Sequence, residues 1–265
     1  MKLKYFLAAL IVATTIVSCS DDDTLNNTTG TGTLNVEFDN AFAGDDLILN
    51  SQNYTTSQNE VLKISTVKYI ISNIVLTSED GAEFIYPKSQ SYFIVNEADV
   101  SSQVLALTDF PAGNYTKIKF GIGVDQEQFN SGADGQGNFL ALAQAEDMLW
   151  SWSAGYKFLA FEGTFTSPTI ADATSFMVHT GQTGTAYNYT EVTLNLPTQA
   201  LVRQNVTPQI HIVTDVSKFI DGTNKISLSA NNAMGMGAMI MGGEQLPLIT
   251  ANLSNAFTVN HVHND

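Results

Sequence analysis

Imidazole side chains are the groups in this sequence best suited to bind a metal ion. The chain of 265 residues has four histidines, at positions 179, 211, 261 and 263. His261 and His263 are two residues apart, and on an extended backbone such side chains point to the same face. That spacing suits two imidazoles that bind one ion. We therefore predict a metal site near the C-terminus, with a pair of solvated histidines as the alternative.

The other two histidines lie in strand-like segments. His179 ends the segment Phe176-Met-Val-His-Thr-Gly181, and this pattern favours a hydrogen-bonded residue at a strand end over a metal ligand. His211 is flanked by Ile210 and Ile212, and we expect it to face inward. One hydrogen-bond partner satisfies such a residue, so we interpret His211 as structural, with metal binding as its alternative.

Thioethers form a second group of candidate ligands. Met234, Met236, Met239 and Met241 lie within eight residues, with glycines between them. Soft sulfur ligands select Cu(I), whereas methionine also fills irregular gaps in a core. Both interpretations are open for this segment, although its Gly-rich backbone holds a core side chain poorly.

Residues 147–163 hold both tryptophans of the chain, Trp150 and Trp152. A strand-like alternation follows them, with Tyr156, Phe158 and Ala160 on one face and Lys157, Leu159 and Phe161 on the other. On residue type alone the two indoles are an aromatic plug at the edge of a β core. The alternative is that they line a site beside metal-binding histidines.

Residues 130–138 carry oxygen ligands at a spacing similar to that of calcium loops. The segment lacks the later acidic ligand of an EF-hand. The pattern favours a polar turn, with a calcium site as the alternative.

Known catalytic motifs are missing from the sequence. It contains no GxSxG, no HExxH, no phosphate-binding loop and no dinucleotide fingerprint. We therefore predict that the protein is not an enzyme.

The N-terminus predicts export and lipid attachment. Residues 1–18 combine a basic start with a short apolar run, as in a signal peptide. Cys19, the one cysteine of the chain, follows at the position of an acylated lipoprotein cysteine. Residues 19–32 are interpreted as the acylated cysteine and a flexible acidic and polar linker, and residues 33–265 as one domain. We expect an outer-membrane lipoprotein that faces the periplasm or the cell surface.

The net charge of the chain limits the classes of partner that it can bind. The formal charge is −15, and loss of Lys2 and Lys4 with the signal peptide lowers it to −17. This charge argues against nucleic-acid binding and favours cations.

Many short strand patterns with frequent turn signals predict an all-β fold. We expect strands near residues 33–38, 47–49, 61–77, 84–86, 91–95, 117–124, 175–179, 189–196, 209–216 and 226–229. A bulge is expected at Ser72 and Asn73, a short helix at 139–147 and one helical turn at 217–220. The predicted fold is an antiparallel β-sandwich, similar to immunoglobulin or jelly-roll domains, with one or two short helices.

The order of motifs resembles the MbnP-like domain family, the methanobactin-associated copper-binding proteins and their relatives. The resemblance covers about residues 33–263. It rests on Lys68-Tyr-Ile-Ile-Ser-Asn73, Pro111-Ala-Gly-Asn-Tyr115, Phe120-Gly-Ile-Gly-Val-Asp125, Met148-Leu-Trp-Ser-Trp-Ser-Ala-Gly-Tyr-Lys-Phe158, His179-Thr-Gly181 and His261-Val-His263.

The resemblance implies an exported β-sandwich with a copper site. His179, His261 and His263 match recurring histidine positions of the family, and Asp125 matches as well. In some relatives a tryptophan is oxidised to kynurenine by a di-haem, peroxidase-like partner and is followed two residues later by histidine. Here Trp152 occupies that later position.

Our leading hypothesis is a lipid-anchored, non-enzymatic protein that binds Cu(I) or Cu(II). His179, His261 and His263 would be its ligands, with Trp150 and Trp152 lining the site. The alternative is a surface lipoprotein that binds a glycan or protein partner through its aromatic residues, without metal. The distances between His179 and the C-terminal pair distinguish the two.

Overall fold

A computed structural model describes residues 28–183, 186–232 and 235–265. The signal segment, Cys19 and Met234 therefore lie outside the described residues. In chain order the strands are β1 (Thr31–Phe42), β2 (Asp45–Asp46), β3 (Tyr54–Thr55), β4 (Val61–Ser78), β5 (Glu83–Ile85), β6 (Tyr92–Asn96), β7 (Val104–Pro111), β8 (Gly113–Ile122), β9 (Leu149–Ser151), β10 (Gly155–Ser167), β11 (Ile170–Thr183), β12 (Ala186–Tyr187), β13 (Thr190–Val202), β14 (Pro208–Asp215), β15 (Ala238–Ile240) and β16 (Phe257–Asn264).

The strands form two sheets, and the predicted all-β sandwich is confirmed. The five-stranded sheet has the order β16-β14-β1-β2, with β7 also paired to β1. The eleven-stranded sheet is built on the path β12-β11-β10-β4-β8-β13. Most neighbouring strands are antiparallel, but β1 pairs with β14 and β11 with β15 in parallel.

Four short helices occur in the described part of the chain, two more than predicted. They are α1 (Gln126–Asn130), α2 (Asn138–Ala145), α3 (Lys218–Asp221) and α4 (Gln245–Leu253). Short 3-10 turns occur at Lys88–Gln90, Val100–Ser102 and Ala133–Gln136. None of the helices in the described ranges is long and apolar enough to cross a membrane.

The two sheets meet at an aromatic cluster centred on Phe38 of β1. Its ring makes edge-to-face contacts with Tyr69 at 6.2 Å, Phe120 at 5.4 Å and Phe257 at 6.2 Å. Such contacts stabilise a core beyond the area that they bury. Since the four rings come from β1, β4, β8 and β16, this cluster joins both sheets.

Strand β10 is buried on both faces, as its sequence alternation predicts. Leu159 and Phe161 belong to the main core between the sheets. Tyr156 and Phe158 belong to a second, smaller core, together with Met148 and residues of α2. The segment that follows the tryptophans therefore packs on both faces of the large sheet, against the main core on one face and against Met148 and α2 on the other.

The bulge predicted in β4 is confirmed. The register between β4 and β8 shifts between Ser72 and Val75. Asn73 has a φ of 50°, in the left-handed region that asparagine tolerates better than most residues. Its backbone N–H donates to the Ser91 carbonyl at 3.1 Å.

Two predicted strands were wrong, and several elements were missed. Residues 47–49 and 226–229 are loops, while β7, β16, α1 and α4, together with several strands of two or three residues, have no counterpart among the predicted elements. The loop at 226–229 is held by Glu60, which is only 2% exposed. Its carboxylate accepts the N–H groups of Leu228 at 3.0 Å and Ser229 at 2.7 Å. The Glu60 carboxylate thus accepts the backbone N–H groups that would otherwise pair with a neighbouring strand.

Replacement of Glu60 with alanine should destabilise the fold by about 2–4 kcal/mol, because the buried N–H of Leu228 and the part-buried N–H of Ser229 lose their acceptor. The free energy of unfolding from urea titration measures this change. Glu83→Ala, on an exposed carboxylate of β5, is the matched control and should change it by less than about 0.5 kcal/mol. Equal effects of the two substitutions would contradict the role of Glu60.

Candidate metal centre

Three histidines lie together on the outer face of the five-stranded sheet, and we call them the histidine cluster: His211, His261 and His263. Strand pairing places His211 beside His261, and Gln209 beside His263. On the other side of β14, His211 is paired with Glu37 of β1. The neighbours Ile210 and Ile212 of β14 point into the core. The sheet therefore aligns one carboxylate and two imidazoles in a row across three strands.

A β-bulge in β16 turns both C-terminal histidines outward. His211 is paired with His261, but Ile212 is paired with Val259, so Asn260 is an extra residue. Val259 and Val262 both pack against the core although they are three residues apart. In a regular strand that keeps Val259 inward, His261 would face the core, since side chains alternate with a period of two. The bulge reverses that alternation and puts both histidines on the face that carries His211.

The last two histidines of the cluster are in direct contact. Nε2 of His261 lies 2.8 Å from Nε2 of His263. The ring of His211 lies 4.7 Å from the ring of His261, measured between centroids. Nδ1 of His261 lies 3.1 Å from Oδ1 of Asn260. A proton on Nδ1 leaves the lone pair of Nε2 to accept the hydrogen bond from Nε2 of His263.

Carboxylates border the cluster on the β1 side. Nε2 of His211 lies 3.4 Å from Oε2 of Glu37 and 4.0 Å from Oδ2 of Asp39. Burial raises the pKa of Asp39, the charge of His211 opposes this, and the neighbouring Asp46 and Glu37 raise it further. The cluster therefore lies in a field that attracts cations.

The donor groups suit a transition metal. Two imidazole nitrogens bound to one ion at about 2.0–2.1 Å lie about 2.8–3.4 Å apart at the usual bond angles, and the pair His261–His263 meets this condition. Desolvation and the adjacent His211 and His263 lower the pKa of His261, which favours the neutral form that binds metal. In the described residues, however, no three His, Cys, Asp or Glu side chains are grouped closely enough to hold an ion as they stand. The cluster is thus a preassembled pair with a third imidazole beside it.

His179 does not join the C-terminal pair, contrary to our prediction. It lies on β11 of the eleven-stranded sheet, whereas His261 and His263 lie on β16 of the other sheet. Nε2 of His179 contacts Oε1 of Glu162 at 2.6 Å. The hydrogen bond from His179 is the main cause of a lowered pKa at Glu162, with burial opposing it. His179 is thus the hydrogen-bonded strand residue that its local pattern favours.

The two indoles lie apart from the histidine cluster and from each other. Trp150 packs against Gly181, where any side chain would clash with the indole, and its ring centroid is 6.3 Å from that of His179. Trp152 lies in the turn after β9 and packs against Phe129 at 5.0 Å. Trp152 packs against the small core around β10, as the interpretation as an aromatic plug predicts, whereas Trp150 packs beside Gly181 and His179.

Asp125 is a structural hub. It accepts hydrogen bonds from Tyr92 at 2.6 Å, Asn73 at 2.9 Å, Lys88 at 3.0 Å and the N–H of Gln128 at 3.0 Å. Burial alone would raise the pKa of Asp125, but these bonds outweigh it and lower the pKa to about 2. Asp125 thereby caps α1 and ties it to β4 and β6.

The methionine segment lies on the eleven-stranded sheet. Met239 of β15 is paired with Met177 of β11 and is 58% exposed. Met236 is 69% exposed, and Met241 is half-buried. These thioethers are beside the strand of His179 and not beside the histidine cluster.

The loop at 130–138 is closed by an amide. The side-chain nitrogen of Gln136 donates to the carbonyls of Gln128 at 2.7 Å and Gly132 at 2.9 Å, and to Oγ of Ser131 at 3.3 Å. Oxygens that would surround a cation are thus bound by an NH₂ group. These contacts favour the polar turn over the calcium site.

Sequence reasoning misjudged His211 and missed Glu37. His211 points outward with 18% of its side chain exposed, not inward as expected. The alternation Val36-Glu-Phe38 on β1 and Ile210-His-Ile212 on β14 already contains the signal, since each polar residue lies between two core residues. The parallel pairing of two strands so distant in the chain was the missing information.

Two packed sheets with an imidazole cluster on one outer face define a β-sandwich protein with a candidate metal centre. The MbnP family matches residues 31–240. The chain therefore belongs to the MbnP family. His261 and His263 lie beyond the matched residues, so their arrangement has to be judged from the structure.

One solved structure is also similar. MbnP from Methylosinus trichosporium aligns with a TM-score of 0.46 and 11% sequence identity, over 80% of this chain and 81% of that chain. No curated protein matches the chain.

Asp125→Asn should remove a contribution to stability that depends on pH. The lowered pKa means that the folded state favours the carboxylate, so the contribution is present above about pH 4 and is lost as pH falls through about 2. At pH 6 we expect the variant to be less stable by on the order of 1 kcal/mol, since part of the group is screened by solvent. Urea titrations of both proteins between pH 6 and pH 2.5 measure the gap, and a gap that does not narrow in acid would contradict the assignment.

Proposed function

We propose that the protein is a copper-binding member of its family that holds the metal at the histidine cluster and performs no catalysis. The observation that supports this most directly is the 2.8 Å approach of Nε2 of His261 to Nε2 of His263, with the ring of His211 beside them. When bound, copper would supply only a Lewis-acidic centre with affinity for imidazole nitrogen. The chain's own residues supply the donors and fix their direction.

The choice of copper rests on chemistry and on the resemblance stated above. Neutral imidazoles bind several divalent metals, and the Irving–Williams order places copper above the others. The acidic chain, at −15, attracts cations in general and does not select among them. Copper is therefore the metal with which the site should be tested first, and zinc is the proper competitor.

Export and lipid attachment at Cys19 are part of the same proposal. They rest on the N-terminal sequence, with its short apolar run and following cysteine. An outer-membrane anchor would hold the domain where it meets metal from outside the cell. Oxidation of a tryptophan by a di-haem partner finds no support in the position of Trp150, which lies beside His179 and not beside the histidine cluster.

The alternative is a glycan-binding or protein-binding surface without metal. It is favoured by the separation of His179 from His261 and His263, which lie on different sheets. Its candidate aromatic residues, however, are poorly placed for such a surface. They are Tyr54, Tyr86, Tyr92, Tyr187 and Tyr189. The first two are only 4% exposed, and the hydroxyls of the other three are engaged in the hydrogen bonds around Asp125 and Val124. They offer no open aromatic platform of the kind that stacks on a sugar.

Copper titration of the purified mature chain against a chromophoric competitor tests the proposal. We expect one equivalent of copper to bind, more tightly than zinc, and the variant His211→Ala/His261→Ala/His263→Ala to lose this binding. His179→Ala is the matched control and should bind as the wild type does, since its imidazole belongs to the other sheet. Thermal unfolding without metal checks that the variants are folded.

Three results would overturn the proposal. Absence of stoichiometric copper binding would favour the metal-free alternative. Full binding by the triple variant would remove the histidine cluster from the site. Loss of binding in His179→Ala alone would move the site to β11.

A further inference from the structure

The histidine cluster contains one imidazole whose two nitrogens have different surroundings. Nε2 of His211 faces Oε2 of Glu37 at 3.4 Å. Nδ1 of His211 is buried and has no hydrogen-bond partner, a property that it shares with Nδ1 of His179 on the other sheet. A buried polar atom without a partner is uncommon and calls for an explanation.

Glu37 is itself held in place. Its register partner across the parallel strands is His211, and Gln209, two residues before His211, donates a hydrogen bond to Oε2 of Glu37. The carboxylate is mostly shielded, with 29% of the side chain exposed. It therefore presents a fixed negative charge to one nitrogen of the ring.

A carboxylate opposite one imidazole nitrogen determines where the proton of the neutral ring resides. The N–H is favoured on the nitrogen that faces the negative charge, and the other nitrogen keeps its lone pair. Metal-binding histidines are commonly oriented in this way by a carboxylate on the far nitrogen. In His211 the nitrogen left with a lone pair is Nδ1, the atom that has no hydrogen-bond partner.

We propose that Glu37 is a positioning residue of the metal centre: it keeps the proton of His211 on Nε2, so that His211 binds the metal through Nδ1. This inference rests on the proposed function for the identity of the ligand, but its structural part concerns the metal-free protein. His261 and His263 meet through Nε2, and Nδ1 of His211 would join them as a third donor only after the rings close further on the ion, since the described side chains do not form a three-ligand site as they stand. For His261, Oδ1 of Asn260 favours the proton on Nδ1, so that this ring would bind through Nε2.

Nitrogen-15 NMR of the metal-free protein reads the tautomer of each histidine directly. We expect His211 to show a protonated Nε2 and an unprotonated Nδ1. Glu37→Ala should shift the ring towards a mixture of tautomers, and Glu37→Gln, which keeps the size and an acceptor oxygen, should lie between. Asp39→Asn is the matched control on the same strand and face, 4.0 Å from Nε2, and should leave the tautomer unchanged.

Copper competition titrations of the same variants provide the second readout. Loss of an orienting partner typically lowers metal affinity about 10- to 100-fold, and we expect such a loss for Glu37→Ala. Asp39→Asn should change the affinity much less. Thermal unfolding of each variant without metal separates this effect from loss of fold.

The outcomes are distinguishable. A proton on Nδ1 of His211 in the wild type, or an unchanged tautomer in Glu37→Ala, would overturn the positioning role even if copper binds. An unchanged tautomer with reduced affinity would make Glu37 a direct ligand instead. Absence of copper binding by the wild type would overturn the proposed function, while the NMR result would still decide how Glu37 acts on His211.

Discussion

The outer face of the five-stranded sheet depends on the two-residue alternation of side chains along each strand. On β1, Val36 and Phe38 enter the core and Glu37 points away from it. A slip of β1 by one residue would exchange the two faces and bury Glu37 without a partner, at a cost of several kcal/mol. The apolar core therefore fixes the register, and the register places each polar group of the histidine cluster. The site has no separate scaffold of its own.

The same constraint explains why a single irregularity has so large an effect. The bulge adds only one residue, Asn260, yet it decides which face both following histidines occupy. Val262, which lies between them, still reaches the core. Bulges often re-aim side chains next to functional sites, and this one does so without loss of apolar burial.

The histidines differ in what surrounds their rings. His179 and His211 each have a carboxylate beside Nε2, from Glu162 and Glu37, and each has a buried Nδ1 without a hydrogen-bond partner. They differ in their ring neighbours, because His211 lies beside His261 whereas His179 lies beside Trp150. His261 and His263 are more accessible and share a hydrogen bond between their Nε2 atoms. Residue type and spacing do not reveal these differences.

Local patterns predicted much of the fold. The alternation of β1, the two faces of β10 and the asparagine-centred bulge of β4 could all be recognised because each is determined by residues close in sequence. The failures have a common cause. The loop held by Glu60, the strand β7 and the row from Glu37 through His211 to His261 all depend on pairings between distant segments. At the candidate site, the spacing of His261 and His263 predicted one contact, while His211 was expected to face inward because the neighbours of β14 were unknown.

The histidine cluster is assembled from strands that are far apart in the sequence. Glu37 lies on β1, His211 on β14 and His261 and His263 on β16. These side chains come together only when β14 is paired with both of its neighbours. An ion bound at the cluster would therefore stabilise a sandwich that is already folded and would not nucleate its folding.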